Sequence, residues 1–337
     1  GLENIRKGFR LACQAKVLSY TEVEIPAKRV LTTVIMGYEP EISLEPAVVK
    51  MMIKREQVTL TSKHASTLET IEKAVGKEIC TSLNTLKTLA KELPGKLCLI
   101  IYRYKNPDEL IDVFPEEIKP YGLALDLGTT KIAMYLVDLE SGKTLVAEAF
   151  ENPQVIYGDD VISRIAYAKD HGVKEMQKML IKEINNFLVK LYKTRGFNPR
   201  NIVEVVAVGN AVMHHIFLGI NTEKLGKAPY EVVVRKPLVL TALELELAVN
   251  SKAKIYMPPL VRGFIGSDSL MGVLLLKLAE RKGTYMFLDI GTNTEVYISK
   301  NGEIFAASTA SGPAFEGGHI KHGMKAFEGA IDHVTID

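Results

Sequence analysis

Apolar positions recur at Val17, Tyr20, Val23 and Ile25 within Lys16–Ile25, predicting a strand that stops at Pro26, which cannot donate to a sheet ladder. Residues 28–40 predict a second extended segment, closed by Glu39-Pro40. From Ser43 to Leu93 the pattern is polar and helical. Ser66-x-x-Glu69 is a capping box ahead of Leu68, Ile71, Ala74 and Val75, with Gly76 as the stop. A second helix is predicted over Ser82–Leu93, with Cys80 grouped among the helical residues, and then strands at Leu97–Tyr104 and up to Phe114. Pro115–Pro120 reads as a linker. Beyond Tyr121 the pattern becomes strand-rich α/β. The apolar run Gly122–Asp138 is broken by Asp126–Thr130, and Thr144–Glu151 pairs back on it. Val173–Arg195 predicts a long amphipathic helix with Met176, Leu180, Ile184, Phe187, Leu188 and Leu191 on one stripe. Ile202–Val208 is a buried strand that runs through Gly209-Asn210 into a helix reaching Leu218. Ser267–Arg281 predicts another helix, and Tyr285–Ile290 another strand.

A length of 337 residues, 47% hydrophobic and 24% charged, suits two or three globular domains and excludes a disordered or fibrous chain. A net charge of +2 offers no broad field for nucleic acid or an anionic membrane. The apolar stretches Ile202–Ile220 and Leu270–Leu276 are too polar or too short to span a bilayer, and no signal peptide opens the chain. Three cysteines, Cys13, Cys80 and Cys98, are too few and too scattered for a disulfide framework, which points to a reducing cytoplasm. Cys80 and Cys98 read as small buried side chains.

One internal echo changes the picture. Leu123-Ala-Leu-Asp-Leu-Gly-Thr-Thr130 returns as Met286-Phe-Leu-Asp-Ile-Gly-Thr-Asn293, with the aspartates 163 positions apart. Each copy is a buried strand, an acidic residue, a Gly-Thr turn and a second strand. Glycine lets a backbone approach an anion, and turn N–H groups with threonine hydroxyls donate to phosphate oxygens. An aspartate at the strand end suits a hydrated magnesium ion. Neither a Walker A loop nor Gly-x-Gly-x-x-Gly occurs.

This pair resembles the two phosphate motifs of the actin, sugar-kinase and heat-shock-chaperone ATPase superfamily, and Ile202–Leu218 resembles its first connecting segment. Four further strings are similar to those of the reductive activators of corrinoid-dependent enzymes. They are Asn152-Pro-Gln154 with Tyr157–Ile165, Val208-Gly-Asn-Ala-Val-Met-His-His215, Leu225-Gly-Lys-Ala-Pro229 and Ala307-Ser-Thr-Ala-Ser-Gly-Pro-Ala-Phe-Glu-Gly317.

The resemblance implies an α/β, actin-like (ribonuclease H-like) ATPase preceded by a small α+β domain. The expected parts are a ferredoxin remnant at 1–27, a linker and middle domain at 28–118, a first ATPase lobe at 119–283 and the start of a second at 284–337. It implies ATP-dependent return of a Co(II) corrinoid to Co(I). The cofactors would be ATP, Mg2+ and, in a full-length protein, a [2Fe-2S] cluster. The partners would be a corrinoid protein or corrinoid-dependent methyltransferase and a low-potential electron donor, with a homodimer left open. Asp126, Asp289 and Glu295 are the implied catalytic residues. Gly128, Thr129, Thr130, Gly209, Gly291, Thr292, Asn293 and Gly312 are the implied nucleotide contacts. Cys13, in Gly8-Phe-Arg-Leu-Ala-Cys13-Gln, matches the fourth cluster-ligand position. The three upstream thiolates and the superfamily's later adenosine motif are not found, so the chain reads as an internal piece, inactive alone and without a cluster. A small-molecule kinase, or another ATPase of the superfamily, is the alternative, with Asp159 or Asp160 as its base. His214 and His215, adjacent on one helix, cannot share a metal and read as packing or hinge residues.

Overall fold

The computed structural model describes residues 43–54 and 66–312, together with Ser19. The segments expected at 1–27 and 28–40, including Cys13, lie outside the described residues, apart from Ser19.

The first sheet has the order β1-β3-β4-β2, with β1 at Val48–Lys54, β2 at Ile79–Thr81, β3 at Lys96–Tyr102 and β4 at Asp108–Phe114. Helix α1 (Thr67–Val75) starts at the predicted capping box, where Ser66 and Glu69 bond each other's backbone N–H. It stops at Gly76 in the left-handed conformation. Helix α2 spans only Leu83–Leu89. Two expectations are corrected here. Val48–Lys54 is a strand inside the stretch read as helical, because pairing with β3, apolar and buried from Leu97 to Tyr102, overrides its weak local pattern. Cys80 lies on a strand, held beside β4 and donating its thiol to the Pro107 carbonyl at 3.5 Å. Cys98 is fully buried on β3.

The second sheet has the order β7-β6-β5-β8-β10-β9. Its strands are β5 (Tyr121–Leu127), β6 (Lys131–Asp138), β7 (Thr144–Glu151), β8 (Ile202–Val208), β9 (Leu238–Thr241) and β10 (Lys254–Met257). Three antiparallel strands come first, and β8 and then β10 add in parallel. Helix α3 spans Val161–His171, and α4 spans Lys174–Arg195. The latter buries Met176, Leu180, Ile184, Phe187, Leu188 and Leu191, as the stripe predicts. Each such side chain contributes about 1.5–3 kcal/mol of burial. Helix α5 (Ala211–Phe217) is buried along its whole length.

Helix α6 spans Ser267–Leu275 and ends short of the expected Arg281. Leu276 still closes on Gly272, but Lys277 takes a positive φ and breaks the ladder. Beyond it, β11 (Thr284–Ile290), β12 (Asn293–Lys300) and β13 (Glu303–Ala310) form an antiparallel sheet. No helix among the described residues is long and apolar enough to cross a membrane.

The first sheet rests on the second through both apolar and charged contacts. Val203 of β8 joins Val48, Cys98, Ile100, Tyr102 and Ile111 in one cluster. Beside it Lys254 pairs with Glu109 at 2.7 Å, and Lys252 pairs with Asp112. Glu204 lies in this seam, where loss of water pushes its carboxyl up to about 7 although the Val48 N–H favours the ionised form. Between pH 4.5 and about 7 the unfolded chain binds fewer protons at this position than the folded one, so stability falls as pH rises. Glu204→Gln keeps the acceptor and removes that loss. Reversible unfolding should show a gain on the order of 3 kcal/mol or less at pH 8, and none at pH 4.5. Equal gains at both values would remove titration of Glu204 as the cause.

Candidate functional site

The parallel neighbours β5 and β8 end side by side, with Asp126 paired to Val208. Ligands of open α/β sheets sit outside the carboxyl ends of such strands. Asp126 closes β5, and Gly128, Thr129 and Thr130 form the turn into β6. A Cβ on Gly128 would run into the Lys131 carbonyl, so the tight turn needs glycine there.

The turn is held from behind. Asn152 Nδ2 donates to the Gly128 carbonyl at 2.8 Å, and the Asn152 N–H donates to the Thr130 carbonyl at 2.8 Å. Arg164 Nη2 donates to the Thr129 carbonyl at 2.6 Å. In a trans peptide the N–H points opposite the C=O, so the Thr129 and Thr130 amides face away from these anchors. Asn210, the cap of α5, adds a 3.0 Å bond to Thr129 Oγ1.

The second hairpin repeats the arrangement. Asp289 of β11 lies across from Glu295 of β12, and Gly291 and Thr292 make the turn into Asn293. Here the Thr292 carbonyl accepts from the N–H groups of Ser311 and Gly312 at 3.2 and 3.0 Å. Gly312 takes φ +73°, which explains a glycine at that place. Glu295 accepts from Ser308 Oγ at 3.0 Å.

The two hairpins share one electrostatic environment. Burial of the carboxyl, and then repulsion from Asp289, raises Asp126 to about 6, although the residue as a whole keeps exposed surface. Burial also raises Asp289 and Glu295. A fourth carboxylate, missed in the sequence, joins them. Asp268 is pushed up to about 7 by burial and by the charges of Asp126, Asp289 and Glu295. Its neighbours fix it from both sides. The Ser267 N–H donates to the Gly209 carbonyl at 3.0 Å, and Ser267 Oγ accepts from the Gly209 N–H at 3.2 Å. Ser269 Oγ and Tyr297 Oη of β12 lie 2.8 Å apart. The only signal in the sequence was Gly-Ser-Asp-Ser opening an apolar helix 21 residues before Asp289.

A Cβ on Gly209 would crowd Leu127 at 3.1 Å, and one on Gly266 would strike the Gly209 carbonyl, so the two glycines let the backbones meet here. Asp160 caps α3 through the Ser163 N–H at 2.7 Å, while Arg164 turns inward to the Thr129 carbonyl. His215 donates Nδ1–H to the Ala211 carbonyl at 2.7 Å and accepts from Val233 N–H at 3.0 Å, a packing role. Burial and the adjacent ring lower the fully buried His214 to about 4.

Among the described residues no three His, Cys, Asp or Glu side chains converge to enclose a metal directly. A few carboxylates beside two tight Gly-Thr turns would suit Mg2+, which keeps most of its water.

Two family models match this chain, the RACo middle region over residues 121–281 and the C-terminal domain of RACo, the ASKHA domain, over residues 283–337. The chain belongs to the RACo family. Its fold is accordingly the actin-like α/β fold expected from the paired hairpins. RACo relatives include the corrinoid activation enzyme RamQ of Eubacterium limosum, 34% identical over 68% of this chain and 39% of RamQ. The [Co(II) methylated amine-specific corrinoid protein] reductase of Methanosarcina barkeri is 27% identical over 63% of this chain and 40% of that protein. The solved structure of a reductive activator for corrinoid, iron-sulfur protein matches with a TM-score of 0.78 and 30% identity. It covers 88% of this chain and 49% of that one. The chain thus spans between two fifths and one half of the length of these RACo relatives.

Proposed function

We propose that this chain is the nucleotide-driven part of an ATP-dependent reductive activator that returns the Co(II) corrinoid of a partner protein to Co(I). The observation that carries this reading is the pair of matching hairpins whose aspartates, Asp126 and Asp289, interact electrostatically in a chain of the RACo family. Mg2+, when bound, would neutralise charge on the phosphates. Asp126 and Asp289 would orient its water shell. The amides of the Gly128–Thr130 and Gly291–Asn293 turns, with the Thr129, Thr130 and Thr292 hydroxyls and Gly312, would hold the phosphate oxygens. Asp268, rather than Glu295, would take the proton of the attacking water. Gly209 acts at the joint between the two hairpins, through Gly266 and Ser267.

Reduction of a corrinoid is uphill for an ordinary donor, and each ~59 mV costs tenfold in a one-electron equilibrium. ATP binding and hydrolysis would close the two hairpins on each other and so bias the complex toward a form in which cobalt accepts the electron. The electron would come from a low-potential iron–sulfur donor. Kinase chemistry is less well supported, because Asp160 is spent as a helix cap.

The test uses the full-length protein, mixed anaerobically with a Co(II) corrinoid protein and a low-potential reductant while cobalt absorbance is followed with and without Mg-ATP. Co(I) should appear only with ATP. Asp126→Ala and Asp289→Ala should each slow its appearance at least 100-fold. Unchanged rates in both variants would remove the hairpins from the mechanism.

A further inference from the structure

Arg164 is fully buried, the largest such side chain among the described residues. A buried guanidinium is costly unless something uses its charge. Its partners are the carbonyls of Gly158 at 3.0 Å and Thr129 at 2.6 Å, the Gln154 side-chain oxygen at 3.3 Å and the Met213 sulfur at 3.1 Å. None of these is a carboxylate. Asp159 and Asp160 attract it only from a distance, and Asp160 is committed to the α3 cap. Burial lowers its pKa to about 10, so it stays charged at neutral pH.

The surrounding residues serve the same end. A Cβ on Gly158 would strike Ser163 and the Arg164 backbone, so glycine is needed where the chain folds over the side chain. Gln154, itself fully buried, donates to the Met176 carbonyl at 2.9 Å and turns its oxygen to Arg164. Pro153–Tyr157 and α3 thus form a socket that aims one fixed cation at the back of one peptide, Thr129–Thr130.

We propose that Arg164 is the positioning residue of the first phosphate hairpin: without touching the nucleotide, it turns the Thr130 amide outward and lends the turn a fixed positive charge for a polyphosphate. The inference rests on the nucleotide reading above and deepens it. At the second hairpin the Thr292 carbonyl accepts from the backbone amides of Ser311 and Gly312.

The test compares dissociation constants for ATP, ADP and adenosine in the full-length protein, as wild type, Arg164→Gln and Arg164→Lys, with folding checked by circular dichroism. Arg164→Gln should weaken ATP at least tenfold and leave adenosine within about threefold. Arg164→Lys, which keeps the charge without the fork, should fall between. Folded variants with wild-type ATP affinity, or with equal losses for ATP and adenosine, overturn the inference. A second measurement on the unaltered chain follows hydrogen exchange over residues 127–131 as inorganic triphosphate is added. Protection of the Thr129 and Thr130 amides is expected, and binding without protection overturns the inference whatever the variants do. A wild-type chain that binds no nucleotide would instead fail the nucleotide reading itself.

Discussion

Asp268→Asn should lower the rate of ATP hydrolysis by about 10²–10⁴ while nucleotide affinity changes by less than about threefold. The size follows from what the carboxylate is placed to do. Ser267 ties the first turn of α6 to Gly209, and Ser269 ties it to Tyr297, so the side chain between them is held next to both hairpins. A value of about 7 lets it accept a proton at neutral pH and release it again. The charged groups that raise it come from three elements: Asp126 on β5, Asp289 on β11 and Glu295 on β12. Asparagine keeps the shape and the acceptor oxygen but cannot take the proton. Below about pH 7 the wild-type rate should drop close to tenfold per pH unit as Asp268 holds its proton, and the variant should lack that limb. Phosphate release and nucleotide titration across pH 5.5–8.5 read both quantities. A wild-type rate in the variant would return the role to Glu295.

Gly266→Ala should unfold the joint between the hairpins. A methyl at this position would lie deep inside contact of the Gly209 carbonyl and the Asn210 Cα, both backbone atoms. Neither can rotate away, so α6 must shift and release the buried bonds between Ser267 and Gly209. Overpacking and lost buried hydrogen bonds together should cost about 2–4 kcal/mol, which lowers Tm by ~5–15 °C for a unit of this size. Nucleotide stabilisation should be lost as well, because the two hairpins lose the joint that holds them beside each other. Gly272→Ala is the control. Its methyl meets the far end of the Phe287 ring, a side chain rather than backbone, and should cost less. Thermal unfolding with and without Mg-ATP separates the two, and equal shifts would deny the joint its special place.

The two hairpins were legible in the sequence because each is a local signal: a buried strand, one aspartate and a Gly-Thr turn. Repetition at 163 positions made the pair specific. The α4 stripe and the Ser66 capping box were legible for the same reason, since helical periodicity and cap chemistry act within a few residues. Val48–Lys54 was misread because a short strand takes its identity from its neighbour, here the apolar β3.

Arg164 shows the limit most clearly. Its nearest acidic neighbours in the chain are Asp159 and Asp160. The fold sends it instead to a carbonyl 35 residues earlier. Asp268 was passed over because a carboxylate in the first turn of a helix is ordinary. Only the arrival of β5, β11 and β12 around it removes water and adds like charge. By itself the sequence determined the elements, the repeated turns and the family, because those depend on contacts close along the chain. Tertiary structure decided which side chains serve the turns, because burial and charge depend on what packs against a residue from elsewhere.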